Sequence, residues 1–192
     1  MSVKHQRPAE SAVVTETLVS SERAFEGRLI NLRVDQVELE DGKLARREVV
    51  EHRGAVAIVA LTADNQVALV EQWRHAAGEA LVEIPAGTLD PEEDPAECAL
   101  RELGEETGFT AGRLDHVVSF WSAPGFTTEK MYLFLARDLK PVQAEADEDE
   151  RIDAFLVPWQ EALAMCADGR IQDAKSIAGI LSVQRVLSQD GH

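Results

Sequence analysis

Three glutamates in the middle of the chain, Glu102, Glu105 and Glu106, stand at spacings that place them on one face of a helix. Carboxylates in this arrangement repel one another, and a nearby cation is needed to offset the repulsion. Carboxylate oxygens suit hard divalent ions such as Mg²⁺, Mn²⁺ or Ca²⁺. Arg101 precedes Glu105 by four residues and can hold part of the cluster through a bidentate contact. The pattern therefore predicts a metal platform, with a solvated acidic helix face as the alternative.

The flanking residues predict the helix that carries these glutamates. Asp94 suits the N-cap, Pro95 suits the first helical position, and Glu97 completes a capping-box pattern. Gly108 offers a stop at the C-terminal end. At about 100° per residue, a second, largely apolar face is predicted to consist of Ala96, Ala99, Leu100, Leu103 and Thr107.

The stretch from Gly87 to Phe109 resembles the signature of a known family, the Nudix box, G-x5-E-x7-R-E-U-x-E-E-x-G-U, where U is an aliphatic or bulky apolar residue. Every required position is matched, by Gly87, Glu93, Arg101, Glu102, Leu103, Glu105, Glu106, Gly108 and Phe109. The resemblance implies a Nudix-type α/β/α sandwich. It implies Mg²⁺ as the cofactor, with Mn²⁺ as an alternative, held by Glu102, Glu105, Glu106 and the Ala86 carbonyl. It gives catalytic roles to Arg101 and Glu105.

A second acidic concentration, PVQAEADEDER, follows at residues 141–151. Composition alone favours a solvated loop. ADP-ribose pyrophosphatases of the Nudix family carry an acidic loop here, however, often with a D-E-x-E core before a strand, and residues 147–150 resemble that core. The resemblance implies that Glu148 is the general base and that Glu150 is a further metal ligand. Glu105 is the rival candidate for the base.

A segment after the box, SAPGFTTE at residues 122–129, also resembles ADP-ribose pyrophosphatases. Pro124 lies fifteen residues past Phe109, about where a downstream proline marks that subfamily. A rigid turn between two strands explains the same residues, and both interpretations can hold together. The resemblance implies that Gly125 and Glu129 bind substrate.

Two arginines before the box are candidate substrate contacts. The tripeptide QWR ending at Arg74 is close to a Q-aromatic-R segment of the family, and its guanidinium would match phosphate oxygens in pairs. The alternative is that Arg74 merely pairs with Glu83, itself a candidate substrate-binding residue. Arg47 resembles a family position near the adenine, contributed across a dimer. No stacking aromatic is evident on the other side of that base, and Phe25 could instead belong to the core.

The composition excludes some classes of partner. Nineteen Lys and Arg residues against thirty-five Asp and Glu give a net charge of −16 over 192 residues. This charge argues against binding to nucleic acid or to an anionic membrane, since both need positive surface. Two cysteines make no disulfide framework and are expected to be buried, reduced thiols. There is no signal-peptide pattern and no apolar run of ~18 residues, so we expect a cytoplasmic protein.

The remaining patterns predict a mixed sheet flanked by helices. Alternation and an Asp41-Gly42 hairpin signal predict strands over 12–20, 28–40 and 44–51. An apolar run over 55–61 predicts a strand that is buried on both faces. Further strands are expected over 67–73, 80–84, 114–121, 130–136 and 152–157, and helices over 159–167 and 174–187.

Two regions follow from these elements. Residues 1–53, with a frayed tail over 1–11, are expected to form a small antiparallel β segment. In the resembled family such a segment commonly helps to build a homodimer. Residues 54–192 are expected to form the Nudix hydrolase domain.

The resemblance also implies a reaction, the hydrolysis of the pyrophosphate bond of ADP-ribose to AMP and ribose 5-phosphate. Another nucleotide sugar or NADH is the alternative substrate. A second alternative is a binding module that senses ADP-ribose without hydrolysing it. Such sensors usually lose carboxylates of the box, and here none is missing. The expected partner is therefore ADP-ribose or a related nucleoside diphosphate derivative.

Overall fold

A computed structural model of the chain describes residues 15–143 and 152–190. In these ranges the strands are β1 (Thr17–Glu26), β2 (Asn31–Glu38), β3 (Leu44–Glu51), β4 (Ala55–Ala60), β5 (Gln66–Arg74), β6 (Glu79–Glu83), β7 (Ala86–Thr88), β8 (Phe109–Trp121), β9 (Lys130–Pro141) and β10 (Ile152–Pro158). The helices are α1 (Pro95–Thr107), α2 (Trp159–Asp168) and α3 (Ala174–Asp190). The contacts divide the chain into two units. One unit ends at His52 and takes in Gly125–Thr127, and the other consists of Arg53–Pro124 and the residues from Thr128 onward.

The first unit is an antiparallel sheet with the order β1-β2-β3. The expected strand over 44–51 is confirmed, and the hairpin before it turns at Gly42 with a φ of +78°. Residues 12–14 of the expected strand over 12–20 lie outside the described residues; its end was wrong, because β1 begins at Thr17 and continues to Glu26. All ten residues of β1 are exposed, so the strand is defined by its hydrogen bonds to β2. Because no residue is buried, the sequence of β1 carries no apolar pattern that would mark its bounds. The expected strand over 28–40 is shorter, since Gly27 N donates to Ile30 O in a turn that precedes β2.

The second unit is organised around β4, which is buried on both faces as predicted. Its four-stranded sheet has the order β7-β4-β9-β8, in which β4 and β9 are parallel and the other pairs are antiparallel. A second sheet, β10-β5-β6, is antiparallel throughout. The mixed sheet is thereby confirmed, and β8 starts five residues earlier than expected because Phe109 already pairs with Pro141.

Alternate residues of β4 enter two separate cores. Val56 and Ile58 pack with Leu103 of α1 in one core, whereas Ala57 and Val59 belong to the other, which holds residues of α2 and α3. Each fully buried aliphatic side chain of this kind contributes about 1.5–3 kcal/mol relative to exposure. The resulting layers, helix on sheet on helices, confirm the predicted α/β/α sandwich.

The signals at the ends of α1 act as predicted. Asp94 Oδ1 accepts a hydrogen bond of 2.8 Å from Ala96 N, and Pro95 is the first helical residue. Gly108 ends the helix in the left-handed conformation and donates to Gly104 O. The buried face differs from the prediction, because Leu100 is 37% exposed. The buried residues are Cys98, Ala99, Leu103, Gly104 and Glu106.

Three further expectations concern the remaining helices, the cysteines and membrane-spanning segments. Helices over 159–167 and 174–187 are confirmed, with α2 one residue and α3 three residues longer than predicted. Both thiols are free, and Cys98 is buried whereas Cys166 is half-buried. Within residues 15–143 and 152–190, none of the helices has the length and apolar character needed to cross a membrane.

Candidate active site

The backbone that leads from β6 into β7 runs directly under helix α1. Ala86 N donates a hydrogen bond of 2.9 Å to Glu106 Oε2, which explains why this glutamate is buried at the helix surface. At Gly87 a Cβ atom would overlap the carboxylate of Glu102. The φ of Gly87 lies outside the left-handed region, so unusual backbone angles do not explain the glycine. Glycine is needed here because the carboxylate lies against the backbone.

Arg101 links the carboxylates of the box. Its Nε and Nη2 atoms donate to the two oxygens of Glu93 at 2.9 and 3.0 Å. Its Nη1 atom donates to Glu102 Oε1 at 2.7 Å and to Glu105 Oε2 at 3.0 Å. The bidentate contact is therefore made with Glu93, while Glu102 and Glu105 share one nitrogen. Arg101 therefore fixes the orientation of the carboxylates of Glu93, Glu102 and Glu105.

The cluster formed by Arg101, Glu93, Glu102, Glu105 and Glu106, hereafter the box cluster, has a surplus of negative charge. One guanidinium stands against four carboxylates. The hydrogen bonds from Arg101 lower the pKa of Glu93 to about 2, and the same contact raises the pKa of Arg101. A cluster with this charge excess attracts cations.

The donor types of the box cluster fit a divalent cation. Three carboxylates on one helix are hard oxygen donors, and the absence of a Cβ at Gly87 lets the carboxylate of Glu102 lie directly against the backbone. In the part of the chain that the structure describes, no three His, Cys, Asp or Glu side chains converge on one point. Arg101 holds Glu102 and Glu105, and the Ala86 amide holds Glu106, so an ion would have to compete with these contacts.

Arg74 and Glu83 form a second charged cluster. Arg74 Nε and Nη2 donate to Glu83 Oε1 and Oε2 at 2.8 and 2.6 Å, which is the paired arrangement that stood as the alternative for this arginine. Lys175 Nζ also donates to Glu83 Oε2. Burial by itself would raise the pKa of Glu83, but Arg74 and Lys175 outweigh it and lower that pKa. Glu106 contributes to raising the pKa of Arg74, so this guanidinium feels the charge of the box cluster.

The network continues into the start of α3, which the sequence did not reveal. Lys175 Nζ donates to Asp173 Oδ2 at 3.0 Å. Ser176 Oγ donates to the same oxygen at 2.6 Å and accepts a 2.9 Å hydrogen bond from Ile84 N. The contacts from Lys175 to Glu83 and from Ser176 to Ile84 join residues 92 positions apart. No local pattern in the sequence indicates which residues this segment contacts.

The other candidate substrate contacts lie partly in the first unit. Arg47 of β3 is half-exposed and makes a bidentate contact with Glu16. Gly125 is exposed, and a Cβ there would meet nothing within 4 Å. In the second unit, Glu129 O accepts a hydrogen bond of 3.2 Å from Ser122 N. Phe25 is 55% exposed, so its alternative assignment to the core is wrong.

Two further candidates, Glu148 and Glu150, lie outside the described residues. Apart from Glu129, the described candidates of the second unit fall into two groups, one at α1 and β7 and one at β5 and β6. Arg101, Glu102, Glu105, Glu106 and Ala86 form the first group, and Arg74 with Glu83 forms the second.

Comparison with known families assigns both parts of the chain. Residues 51–179 match the family described as the NUDIX domain. Residues 16–50 match the family described as the nucleoside diphosphate sugar hydrolase N-terminal domain. Since the first match covers well over half of the chain, this protein belongs to the Nudix family.

Several relatives are similar over most of their length. An ADP-ribose pyrophosphatase of Bacillus subtilis (strain 168) is 40% identical over 171 residues, 88% of this chain and 92% of the relative. A methanol dehydrogenase activator of Bacillus methanolicus is 41% identical over the same shares of both chains. A GDP-mannose pyrophosphatase of Yersinia pestis (strain Pestoides F) is 37% identical over 141 residues, 68% of this chain and 71% of the relative. A solved structure described as an ADP compounds hydrolase has a TM-score of 0.84 and 25% identity, covering 95% of this chain and 99% of its own.

Proposed function

We propose that this protein hydrolyses the pyrophosphate bond of ADP-ribose. Water attacks one phosphorus of the P–O–P linkage, and the bond from that phosphorus to the bridging oxygen breaks. The attacked phosphate keeps the water oxygen, the other phosphate keeps the bridging oxygen, and the products are AMP and ribose 5-phosphate. The observation that carries the proposal is the complete box cluster, in which Glu102 lies against the Gly87 backbone, Glu106 accepts from the Ala86 amide, and Arg101 joins Glu102 to Glu105. The relatives named ADP-ribose pyrophosphatase support this choice of substrate.

Glu102, Glu105, Glu106 and the Ala86 carbonyl are the groups that would hold a divalent cation, Mg²⁺ or alternatively Mn²⁺. When bound, such an ion neutralises a diphosphate and lowers the pKa of water. The chain's own part is to place these oxygens. Arg101 orients Glu102 and Glu105, and the Ala86 amide orients Glu106. We therefore assign Arg101 to positioning.

The general base is either Glu148 or Glu105. The side chain of Glu105 is 26% exposed, twice the 13% of Glu102, and this access suits a group that takes a proton from water. Glu148 has its support in the resemblance of its acidic segment to the family, as does Glu150 as a further metal ligand. Replacing each residue by Gln distinguishes the two, because the base is the one whose loss removes the rise of kcat with pH on the acidic side of the profile.

We assign the substrate contacts to Arg74, Glu83, Arg47, Gly125 and Glu129. Arg74 has the best physical support, since Glu83 uses only the Nε and Nη2 edge of its guanidinium. A guanidinium held in this way can present its remaining edge to a phosphate. Arg47 and Gly125 are assigned on the family resemblance.

A second candidate substrate is another nucleoside diphosphate sugar. The observation that favours it is the match of residues 16–50 to the nucleoside diphosphate sugar hydrolase N-terminal domain, together with relatives named GDP-mannose pyrophosphatase. The reaction and the box cluster would be the same, and only the contacts to the base and the sugar would differ.

We also propose two domains, an N-terminal region over 1–53 and the hydrolase domain over 54–192. We propose further that the chain forms a homodimer through the N-terminal region. Strand β1 is exposed along its whole length and presents Leu18, Val19 and Phe25 to solvent at 51–57% exposure. Apolar surface of this kind is usually covered by a partner.

Two free thiols agree with a cytoplasmic location.

The test is hydrolysis of ADP-ribose against GDP-mannose, other nucleotide sugars and NADH, each with and without Mg²⁺ or Mn²⁺. Products are identified by chromatography, with release of phosphate by added phosphatase as the readout. The proposal expects the highest kcat/KM with ADP-ribose and no turnover after chelation of the metal. Binding of ADP-ribose without product would instead indicate a sensor.

A further inference from the structure

The start of helix α3 contacts the backbone that carries the candidate metal ligands, although it lies far from them in sequence. Lys175 donates to the carboxylate of Glu83, and Ser176 Oγ accepts from Ile84 N. Asp173 Oδ2 accepts from both Lys175 Nζ and Ser176 Oγ, so these three residues form one connected group. Two consecutive residues of the chain, Glu83 and Ile84, are therefore held by α3.

The residues that follow are held by other elements. Pro85 O accepts a 2.8 Å hydrogen bond from Ile58 N of β4, Ala86 N donates to Glu106, and the Gly87 backbone meets Glu102. The segment over 83–87, hereafter the ligand segment, is thus fixed on one side by α3 and on the other by α1. Any displacement of its first two residues would shift Ala86 relative to Glu106.

The contacts on the α3 side are buried and balanced in charge. Ser176 and Ile84 are fully buried, and Glu83 is 1% exposed. Two cations, Arg74 and Lys175, face two anions, Glu83 and Asp173. Removing one partner of such a group leaves a buried charge without compensation, so the remaining partners must rearrange.

The same contacts set the orientation of Arg74. Its Nη2 atom shares Glu83 Oε2 with Lys175 Nζ, so the carboxylate is held from two directions. Among the described residues, Arg74 Nη1 has no hydrogen-bond partner. The contacts of Glu83 with Arg74 and Lys175 therefore set the orientation of the guanidinium edge that is available for an anion.

We propose that Asp173, Lys175 and Ser176 are positioning residues for the active site. They fix Glu83 and the Ile84 amide, and through the ligand segment they align Ala86 with Glu106 and the outer edge of Arg74 with the substrate. The catalytic part of this inference rests on the proposed function, because Ala86, Glu106 and Arg74 are assigned to the same reaction.

The first test measures amide hydrogen exchange by NMR on the full chain without metal or substrate. Lys175→Met keeps the length of the side chain and removes its charge, whereas Lys175→Arg keeps the charge. Lys140→Met, at an exposed site of β9, is the matched control. We expect the Ile84 and Ala86 amides to exchange at least 10-fold faster in Lys175→Met, with the Leu133 and Leu135 amides of β9 unchanged and Lys175→Arg close to wild type. An unchanged Ala86 amide, or an equal acceleration of every amide, would overturn the proposal.

The second test is kinetic. Lys175→Met is expected to lower kcat/KM for ADP-ribose by about 10–100-fold, the usual effect of removing a group that orients a ligand. Lys175→Arg should restore most of the rate, and Lys140→Met should match wild type. Ser176→Ala is the second variant, and it should accelerate exchange at Ile84 and Ala86 in the same way.

The two tests separate the two proposals. A wild-type protein that fails to hydrolyse ADP-ribose contradicts the proposed function, while the exchange result still decides whether α3 aligns the ligand segment. A Lys175→Met variant with wild-type kcat/KM contradicts the positioning role even where the substrate is correct.

Discussion

The second unit contains two arginine-centred clusters that use the same kinds of residue in different proportions. The box cluster holds four carboxylates and a single guanidinium, that of Arg101, which contacts three of them. In the cluster around Glu83, two cations face two anions. The first carries a net negative charge, whereas the second is balanced around the carboxylate of Glu83, which is almost fully buried.

The difference separates binding from positioning. A balanced buried cluster compensates its own desolvation and needs no further ion. A cluster with surplus carboxylates at a partly exposed helix face is destabilised by repulsion until a cation arrives. We infer that the box cluster is built to bind a cation, and that the Glu83 cluster is built to hold the ligand segment and to present the outer edge of Arg74 to the substrate. The following predictions test this contrast from the largest expected effect to the smallest.

The largest effect is expected for Glu106→Gln. Gln keeps an oxygen that can accept from Ala86 N, so the fold should survive, but it removes a charge from the proposed ion site. Because a bound ion supplies several kcal/mol of stabilisation during catalysis, we expect kcat to fall by about 100-fold or more. Steady-state kinetics at saturating Mg²⁺ measures this change. Glu97→Gln on the exposed side of the same helix is the control, and unchanged turnover in Glu106→Gln would count against the assignment.

A smaller loss of activity is expected for Gly87→Ala. The added Cβ would overlap the carboxylate of Glu102, which is the end of a flexible side chain and can move away at little cost. We therefore expect about a 10-fold decrease in kcat/KM and a higher Mg²⁺ concentration for half-maximal activity, with thermal unfolding nearly unchanged. If unfolding shifted strongly while activity stayed intact, the glycine would serve the fold and not the site.

The Arg101–Glu93 contact should give a stability difference that depends on pH. Arg101 lowers the pKa of Glu93 from 4.5 to about 2, so the contact stabilises the fold above the unfolded value and is lost as the pH falls towards 2. We expect Glu93→Gln to lower the free energy of unfolding by about 1–2 kcal/mol at pH 7. Denaturant titrations of both proteins should converge between pH 4.5 and 2. A difference that is constant over this window would show that the charge of Glu93 contributes nothing.

The smallest effect is expected at an exposed ion pair. Arg170 contacts Asp168 and Glu161 at the surface near the end of α2. Surface pairs of this kind contribute little because water and salt screen them. Arg170→Gln should leave the melting temperature within experimental scatter, in contrast to Lys175→Met. An equal decrease in both variants would remove the distinction between surface and buried clusters.

The sequence predicted those parts of the fold and site that local signals encode. The caps of α1 at Asp94 and Gly108 were correct because the capping side chain and the left-handed glycine act within a few residues. The two-faced burial of β4 followed from its unbroken apolar run. The spacing of Glu102, Glu105 and Glu106 indicated one acidic helix face, and the rest of the box followed from the resemblance to the Nudix signature.

The parts that were missed depend on contacts between distant residues. Leu100 fits an apolar stripe by period, yet the stripe that packs against the sheet includes Cys98 and Glu106 instead. Glu106 is buried because a backbone amide, that of Ala86, lies within reach. Ser176 holds the Ile84 amide across 92 positions, and no local pattern indicates such a pairing.

The most direct test of the central claim is a crystal structure with Mn²⁺ and a non-hydrolysable ADP-ribose analogue, read by anomalous scattering from the metal. We predict anomalous peaks at about 2.0–2.2 Å from oxygens of Glu102, Glu105 or Glu106, with the diphosphate on the opposite side of the ions. Peaks at other residues, or a bound analogue without any peak at these glutamates, would contradict the account.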